Sequence, residues 1–329
     1  MDRDPSIGES KRAREAAPPL DPRPLLRAWV STSALYLSGV FLPVGGVLLM
    51  LFTPQPGLRL EPRGGMASLL ALVALVAMTA AVFGGATAAV FYLAGFALLT
   101  LALPIGLRRG WSLEFTVGTT TLLLAATTAL VLFGMVMTPS ELAGALDGAL
   151  EDGRATLLEM YRQAGVAPSR IDQLREATAA FVDAMVRLAP AAVVIALGVT
   201  VLLNLVVVRR RQARSGHFPI FGDLTRWRAP WPLVWMLIAT GYGAVVLTGD
   251  VRTAALNGFA VTLAVYFLQG LAIVQFYLDR WQLPWWTRTL LWVVIAVEWL
   301  LAAGVVLLGV FDLWADFRRL TPRPVEDDE

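Results

Sequence analysis

Long apolar runs separated by short polar loops make up most of the chain between residues 27 and 310. A helix needs roughly 20 apolar residues to cross the hydrocarbon core of a bilayer, and most of these runs reach that length. We therefore predict an all-α, polytopic membrane helical bundle with eight or nine spans. The runs lie at about 27–60, 66–83, 87–106, 113–137, 189–208, 231–248, 254–277 and 288–310.

The first run leaves the number of spans open. Pro43 and Gly45 interrupt its middle. Because proline removes a backbone donor and breaks helices, the run has two interpretations. It is either one span that ends near Phe52, or two short spans, about 27–42 and 44–60, that turn at Pro43.

Positive charge favours the second interpretation. Cytoplasmic loops carry an excess of arginine and lysine, and two short spans place the two basic clusters on the same side. We therefore favour nine spans, with a cytoplasmic N-terminus and with the turns at Pro43, Gly84-Gly85 and Asp250 outside. A ninth full crossing would place Arg318 outside, so either the rule fails there or the last segment does not cross fully. The clusters are Arg3, Lys11, Arg12, Arg14, Arg23 and Arg27, and Arg209, Arg210, Arg211, Arg214, Arg226 and Arg228.

The interval 138–188 is the one long polar stretch between apolar runs. It opens with Thr138-Pro139-Ser140-Glu141, which fits a capping box with proline at the first helical position. Apolar residues recur every three or four positions in both of its halves, which predicts an extracytoplasmic amphipathic helical hairpin between spans five and six. The apolar stripes are Leu142, Leu146, Ala149, Leu150, Leu157, Met160 and Tyr161, and Ile171, Leu174, Thr178, Phe181, Met185 and Leu188.

These boundaries divide the chain into five parts. They are a disordered cytoplasmic tail (1–26), N-terminal membrane helices (27–137), the hairpin insert (138–188), C-terminal membrane helices with a closing motif (189–320) and an acidic tail (321–329).

Composition narrows the chemistry. The chain is 57% hydrophobic, has a mean hydropathy of +0.65, and contains no cysteine and a single histidine, His217. Thiolate chemistry and His-pair zinc sites are therefore excluded, and we expect no metal and no cofactor. No phosphate loop, Ser-His-Asp pattern or clustered carboxylate pair is visible, which disfavours an enzyme without excluding dispersed catalytic residues. The short basic loops do not indicate nucleic-acid binding.

Four polar residues inside apolar runs are candidate ligand contacts. Glu298 lies in the middle of the last run, where a charge costs roughly 2.5–3.5 kcal/mol and is usually functional. Asn204, Asn257 and Gln269 lie in the preceding runs. The alternative for all four is a structural hydrogen bond between helices.

The closing segment, Gly309 to Leu320, carries a more specific pattern, G-x-x-D-x-W-x-D-F-R. This motif resembles that of the YybS-like family of uncharacterised bacterial multispan membrane proteins. The resemblance implies distant similarity to the substrate-binding subunits of energy-coupling-factor transporters, whose first spans are also short. We expect Asp312 and Asp316 to pair with Arg318 or Arg319, either fixing the last helix at the headgroup boundary or forming a docking site. The motif residues are Gly309, Asp312, Trp314, Asp316, Phe317 and Arg318.

Two functions follow from this pattern. The first is a transporter-like subunit that binds a small molecule or lipid; the second is a membrane scaffold or assembly factor acting through the insert and the closing motif. The expected partners are the lipid bilayer and either a second copy or another membrane protein, with no nucleic acid. The preference for arginine over lysine, with abundant alanine and leucine, indicates a bacterium with a GC-rich genome, so we expect the protein in the bacterial cytoplasmic (inner) membrane. The pattern leaves open the substrate, the oligomeric state and whether the insert is a lid or an interface.

Overall fold

A computed structural model describes residues 22–42, 45–134, 139–163, 168–214 and 224–319, and these ranges contain helices and no β-strand. The predicted all-helical architecture is confirmed. A π-helical turn, Leu93–Ala97, separates α3 from α4, and a 3₁₀ turn covers Leu224–Arg226. The helices are α1 (Pro22–Phe41), α2 (Gly45–Met50), α3 (Gln55–Tyr92), α4 (Leu98–Arg108), α5 (Leu113–Gly134), α6 (Pro139–Gln163), α7 (Pro168–Arg214), α8 (Pro232–Val246), α9 (Gly249–Arg280), α10 (Trp285–Val297) and α11 (Trp299–Ala315).

Within the described ranges, four helical stretches are long and apolar enough to cross a membrane. A fifth is added if α10 and α11, which are bent by 100° at the residue between them, form one span. Length and composition alone therefore support four or five spans, and the count of eight or nine stays a prediction. The four stretches are Gly65–Arg108, Leu113–Gly134, Glu176–Arg211 and Gly249–Arg280.

The chain divides into two compact units. Unit 1 comprises Met1–Trp111, Ala126–Val131 and Thr200–Arg211, and unit 2 comprises Ser112–Ala125, Leu132–Val199 and Gln212–Glu329.

In unit 1, α3 is broken at two glycines. Gly65 has φ 64° and Gly85 has φ 82°, a left-handed region that glycine enters without steric cost. A Cβ atom on Gly57 would lie 2.6 Å from Thr100 Cγ2 and 3.2 Å from Leu72 Cδ2. A straight helix would hold Leu72 and Thr100 roughly 40 Å apart, so the chain must reverse between them. The reversal is at Gly85, in the Gly84-Gly85 turn that the sequence predicts.

The first apolar run also doubles back. Ser38 Oγ donates to Gly46 O at 3.3 Å, and a Cβ atom on Gly39 would meet Met50 Sδ at 2.3 Å. Further along, Leu60 shares a buried cluster with Ala28 of α1. Residues 45–60 therefore return along α1, as the interpretation with two short segments requires, although the turn residue Pro43 itself lies outside the described residues.

The hairpin insert contains a helix in each of its two halves, and α6, the first of them, begins at Pro139, the predicted start. Its second helix does not end before the following membrane run, because α7 continues through Pro190 to Arg214. The helix is therefore unbroken at the predicted boundary between the insert, 138–188, and the membrane run, 189–208. Among the residues of the two apolar stripes, the structure describes six large apolar side chains, and all six are exposed. They are Leu157, Met160, Tyr161, Phe181, Met185 and Leu188.

The last apolar run is divided as well. Glu298 has an extended backbone, φ −91° and ψ 105°, and separates α10 from α11. The run 288–310 is therefore bent by 100° at this residue, and its crossing of the membrane stays a prediction. In unit 2, α11 crosses α9 closely, because Gly270 lies against Val305 O and Gly309 lies against Tyr266 O.

Candidate functional site: an arginine-lined cleft and a buried charge network

The closing motif folds onto the end of α11 in unit 2. Asp312 is fully buried, and its Oδ1 accepts the backbone N–H of Phe317 at 3.1 Å. Asp316 adopts a left-handed conformation, φ 40°, which ends the helix and turns the chain back. The turn brings Arg318 Nη2 to 2.7 Å from Asp312 Oδ2, and both side chains are fully buried.

Two further segments of unit 2 join this ion pair. Arg318 Nη1 donates to Thr225 O at 2.6 Å and to Trp227 O at 2.9 Å. Arg228 lies next in the chain, with its Nε 3.4 Å from Asp312 Oδ2. The Nη2 of Arg228 also pairs with Asp316. The 224–229 segment is thereby fastened to the end of α11.

Gln269 of α9 completes the network. Its Nε2 donates to Asp312 Oδ2 at 3.2 Å, and its Oε1 accepts the backbone N–H of Ala229 at 3.0 Å. Two carboxylates thus face two guanidinium groups, so the charges cancel inside the protein. Buried charges are tolerated only when they are paired and hydrogen-bonded in this way. The arrangement acts as a lock between α9, α11 and the 224–229 segment.

The lock contains one of the expected ion pairs and one ion pair with an unexpected partner. Asp312 pairs with Arg318 as expected, but Asp316 pairs with Arg228, a member of the second basic cluster that was expected only to set the membrane orientation. Trp314 and Phe317, the aromatic residues of the motif, are 60% and 37% exposed. Their use in docking stays a prediction.

Asn204, in unit 1, makes only structural contacts among those described. Its Nδ2 donates to Leu51 O at 2.9 Å and to Thr200 O at 2.8 Å. Its Oδ1 accepts from Gln55 Nε2 at 2.7 Å. The side chain is completely buried, so it joins α7 to the start of α3.

Asn257, in unit 2, explains how α7 passes through a proline. In a helix, Arg187 O would accept the N–H of Ala191, next to Pro190. Asn257 Nδ2 donates to Arg187 O at 2.8 Å, and its Oδ1 accepts from Ala191 N at 2.8 Å. One carboxamide therefore satisfies both backbone groups at the point where Pro190 weakens the helix.

The four candidate contacts are divided between the two units. Asn204 belongs to unit 1, and the other three belong to unit 2. On α9, Asn257 and Gln269 are roughly 18 Å apart along the axis. Glu298 is exposed at the break between α10 and α11. Ligand binding by these residues stays a prediction. Within the described ranges, His, Asp and Glu form no group of three that could hold a metal ion.

A cleft of about 420 Å³ opens at one end of unit 1, between the starts of α1 and α3. Arg23, Arg27 and Ser31 line it from α1, at a spacing of four residues that places them on one helical face. Arg59 lines it from α3. The remaining lining residues are Pro24, Ala28, Pro56 and Leu60, of which Ala28 and Leu60 are buried.

The surroundings of the cleft are basic. Among the residues that the structure describes, neither Arg27 nor Arg59 pairs with a carboxylate, because the nearby Glu61 pairs with Arg108. Arg211 lies near Arg59 and brings a further arginine to this end of unit 1. The charge pattern predicts that Arg23, Arg27 and Arg211 lie on one side of the membrane, but it does not predict that Arg23 and Arg27 share a cleft with Arg59.

A comparison with family models matches residues 30–313 to the family described as "Predicted membrane protein (DUF2232)". The matched range includes Arg59, Gly309 and Asp312, and it excludes Arg23 and Arg27. No curated protein and no solved structure matches the chain.

Proposed function

The chain belongs to the family described as "Predicted membrane protein (DUF2232)", and on that premise we propose that it is a membrane subunit that binds a small molecule or lipid in the arginine-lined cleft. The observation that carries the proposal is the cleft itself, which combines a buried apolar floor with three arginines. Ligand sites are concave and largely apolar, with a few convergent polar groups. The polar residues that the sequence analysis favoured serve this role less well, because Asn204, Asn257 and Gln269 are already hydrogen-bonded within the protein.

The proposal includes an orientation of the chain in the membrane. Arg59 lies in the cleft with Arg23 and near Arg211, so these charges share one end of unit 1. The Gly84-Gly85 turn lies against Val40, at the opposite end of α1. The positive-inside rule then gives a cytoplasmic N-terminus and places the cleft at the cytoplasmic headgroup level. The reversal at Gly85 and the return of residues 45–60 along α1 support the nine-span arrangement, and the bacterial cytoplasmic membrane remains the proposed location.

The transporter-like form of the proposal rests on two short segments at the start of the chain, α1 and residues 45–60. Their shortness is the feature that resembles energy-coupling-factor substrate-binding subunits. The cleft lies between these segments, so the resemblance and the geometry point to the same part of the chain. An enzyme stays disfavoured, because the cleft is lined by arginines, a serine and apolar residues rather than by a nucleophile and a base.

Filling the cleft tests the proposal. We expect Ser31→Trp to abolish ligand retention, because an indole at this lining position occupies the space without changing the charge. The measurement is native mass spectrometry of the full chain released from detergent, comparing co-purifying molecules in wild type and variant. Val30→Trp is the control, because Val30 is 56% exposed on the same helix and does not line the cleft. Equal retention by a folded Ser31→Trp variant would contradict the proposal.

The second candidate function is the scaffold, and the exposed stripes of the insert favour it. Leu157 and Met160 of α6 and Phe181 and Met185 of α7 are all at least 42% exposed. Exposed apolar patches of this kind mark lipid or protein contacts. A second copy of the chain is the simplest occupant, since it brings the same stripes.

Cysteine cross-linking tests the scaffold in a chain that has no native cysteine. If two copies pair through the stripes, Met185→Cys should form a disulfide-linked dimer under mild oxidation in membranes, measured by non-reducing electrophoresis. Ala180→Cys is the matched control, because it is exposed on a different face of α7. Equal dimer yields at both positions, or none at either, would count against pairing through this stripe.

A further inference from the structure

We infer that the ligand of the cleft carries a phosphate group, supplied either by a lipid headgroup or by a soluble phosphate compound. This inference rests on the proposed function and names the chemical class that the same cleft recognises.

The first support is the arrangement of donors. Arg23 and Arg27 follow one another by one helical turn on α1, and Arg59 approaches from α3. A guanidinium group presents its N–H donors in a planar fork that matches phosphate oxygens, often in pairs. Three such groups and the hydroxyl of Ser31 offer more donors than the two oxygens of a carboxylate can accept. A phosphate monoester, with three terminal oxygens, matches the set better.

The second support is the charge balance. Arg27 and Arg59 line the same cleft and have no carboxylate partner among the described residues. Packing like charges together costs free energy that a bound anion of one or two negative charges would remove. By contrast, Arg318, a buried arginine that stabilises the fold, is paired with the carboxylate of Asp312.

The third support is the shape of the cleft. Its floor is formed by the buried apolar residues Ala28 and Leu60. A phosphate at the arginines would therefore have apolar surface beside it for a glycerol backbone or acyl chain. Basic pockets between membrane helices on the cytoplasmic side bind lipid phosphates in this manner.

The positive-inside rule alone does not require Arg23, Arg27 and Arg59 to line one cleft. The positive-inside rule counts arginines near the membrane, wherever their side chains point. Arg210 provides the comparison, because it is exposed at the same end of unit 1 and does not line the cleft. A phosphate site predicts that Arg27 and Arg59 matter and that Arg210 does not.

The experiment compares the full-length wild type with Arg27→Gln, Arg59→Gln and Arg210→Gln. In the lipid arm, each protein is reconstituted in phosphatidylcholine nanodiscs containing phosphatidylglycerol, and native mass spectrometry measures the phosphatidylglycerol retained after release into detergent. In the soluble arm, the melting temperature in detergent is measured with and without inorganic phosphate. We expect binding to weaken at least about tenfold in Arg27→Gln and Arg59→Gln, the scale of one lost charge-assisted hydrogen bond, and to stay at the wild-type level in Arg210→Gln.

The outcomes separate the sources and the hypotheses. Loss confined to the lipid arm assigns the phosphate to a headgroup, and loss confined to the inorganic phosphate arm assigns it to a soluble compound. Equal losses in all three variants, or no binding in either arm, would overturn the inference. A co-purifying molecule that Ser31→Trp loses but both cleft variants retain would overturn the phosphate assignment and leave the proposed function standing.

Discussion

Asp312→Ala is expected to lower the free energy of unfolding by about 3–5 kcal/mol, the range for removing one partner of a buried ion pair. The substitution leaves the fully buried guanidinium of Arg318 without its carboxylate. It also removes the acceptor of the Phe317 N–H and one partner of Gln269. Chemical or thermal denaturation of the purified protein in detergent, followed by circular dichroism, measures the loss.

Asp316→Ala is the matched control for this prediction. Asp316 lies in the same motif and also pairs with an arginine, but its side chain is 24% exposed. Partly solvated pairs contribute little, so we expect a loss of about 1 kcal/mol or less. The double variant Asp312→Leu/Arg318→Met should lose less than the two single losses combined, because it removes both charges. Equal destabilisation by Asp312→Ala and Asp316→Ala would contradict the assignment of Asp312 as the centre of the lock.

Gly309→Ala is expected to separate α9 from α11. A Cβ atom on Gly309 would lie 2.0 Å from Tyr266 O and 3.0 Å from Gly270 N, and these backbone atoms cannot move without shifting α9. Overpacking of this kind costs about 3 kcal/mol, and we expect a loss of that size in the same denaturation assay.

Gly304→Ala, on the same helix, provides the comparison. No atom lies within 4 Å of its Cβ position, and alanine favours the helix over glycine by about 1 kcal/mol. This variant should therefore be as stable as the wild type or more stable. A Gly309→Ala protein with wild-type stability would show that the crossing of α9 and α11 is looser than the structure has it.

Local sequence signals predicted the features that depend on neighbouring residues. The Gly84-Gly85 pair marks a reversal because a left-handed backbone is cheap only for glycine. Pro139 marks the start of α6 because its missing N–H costs nothing in the first turn. The pairing of Asp312 with Arg318 was foreseeable because the two residues lie only six positions apart in the closing motif.

Features that depend on distant residues were not predictable in this way. Arg228 and Gln269 reach Asp312 from 84 and 43 positions away, and nothing local distinguishes Arg228 from the other arginines of its loop. Pro190 lies inside the continuous helix α7, where the carboxamide of Asn257, 67 positions away, satisfies the backbone groups on either side of it. No proline or glycine lies next to the break at Glu298, so the local sequence does not predict it.

The reversal at Gly85 also has a consequence for the lipid environment. Followed as one straight helix, residues 65–108 would extend roughly 66 Å, about twice the hydrocarbon thickness of a bilayer. The glycine divides this length into segments of roughly 30 Å and 35 Å, which match that thickness closely. If both segments cross the bilayer, as the proposed nine-span arrangement requires, a single backbone conformation sets the hydrophobic match between unit 1 and its bilayer. Moving the glycine by a few residues would create a mismatch that tilting or local thinning of the bilayer must absorb.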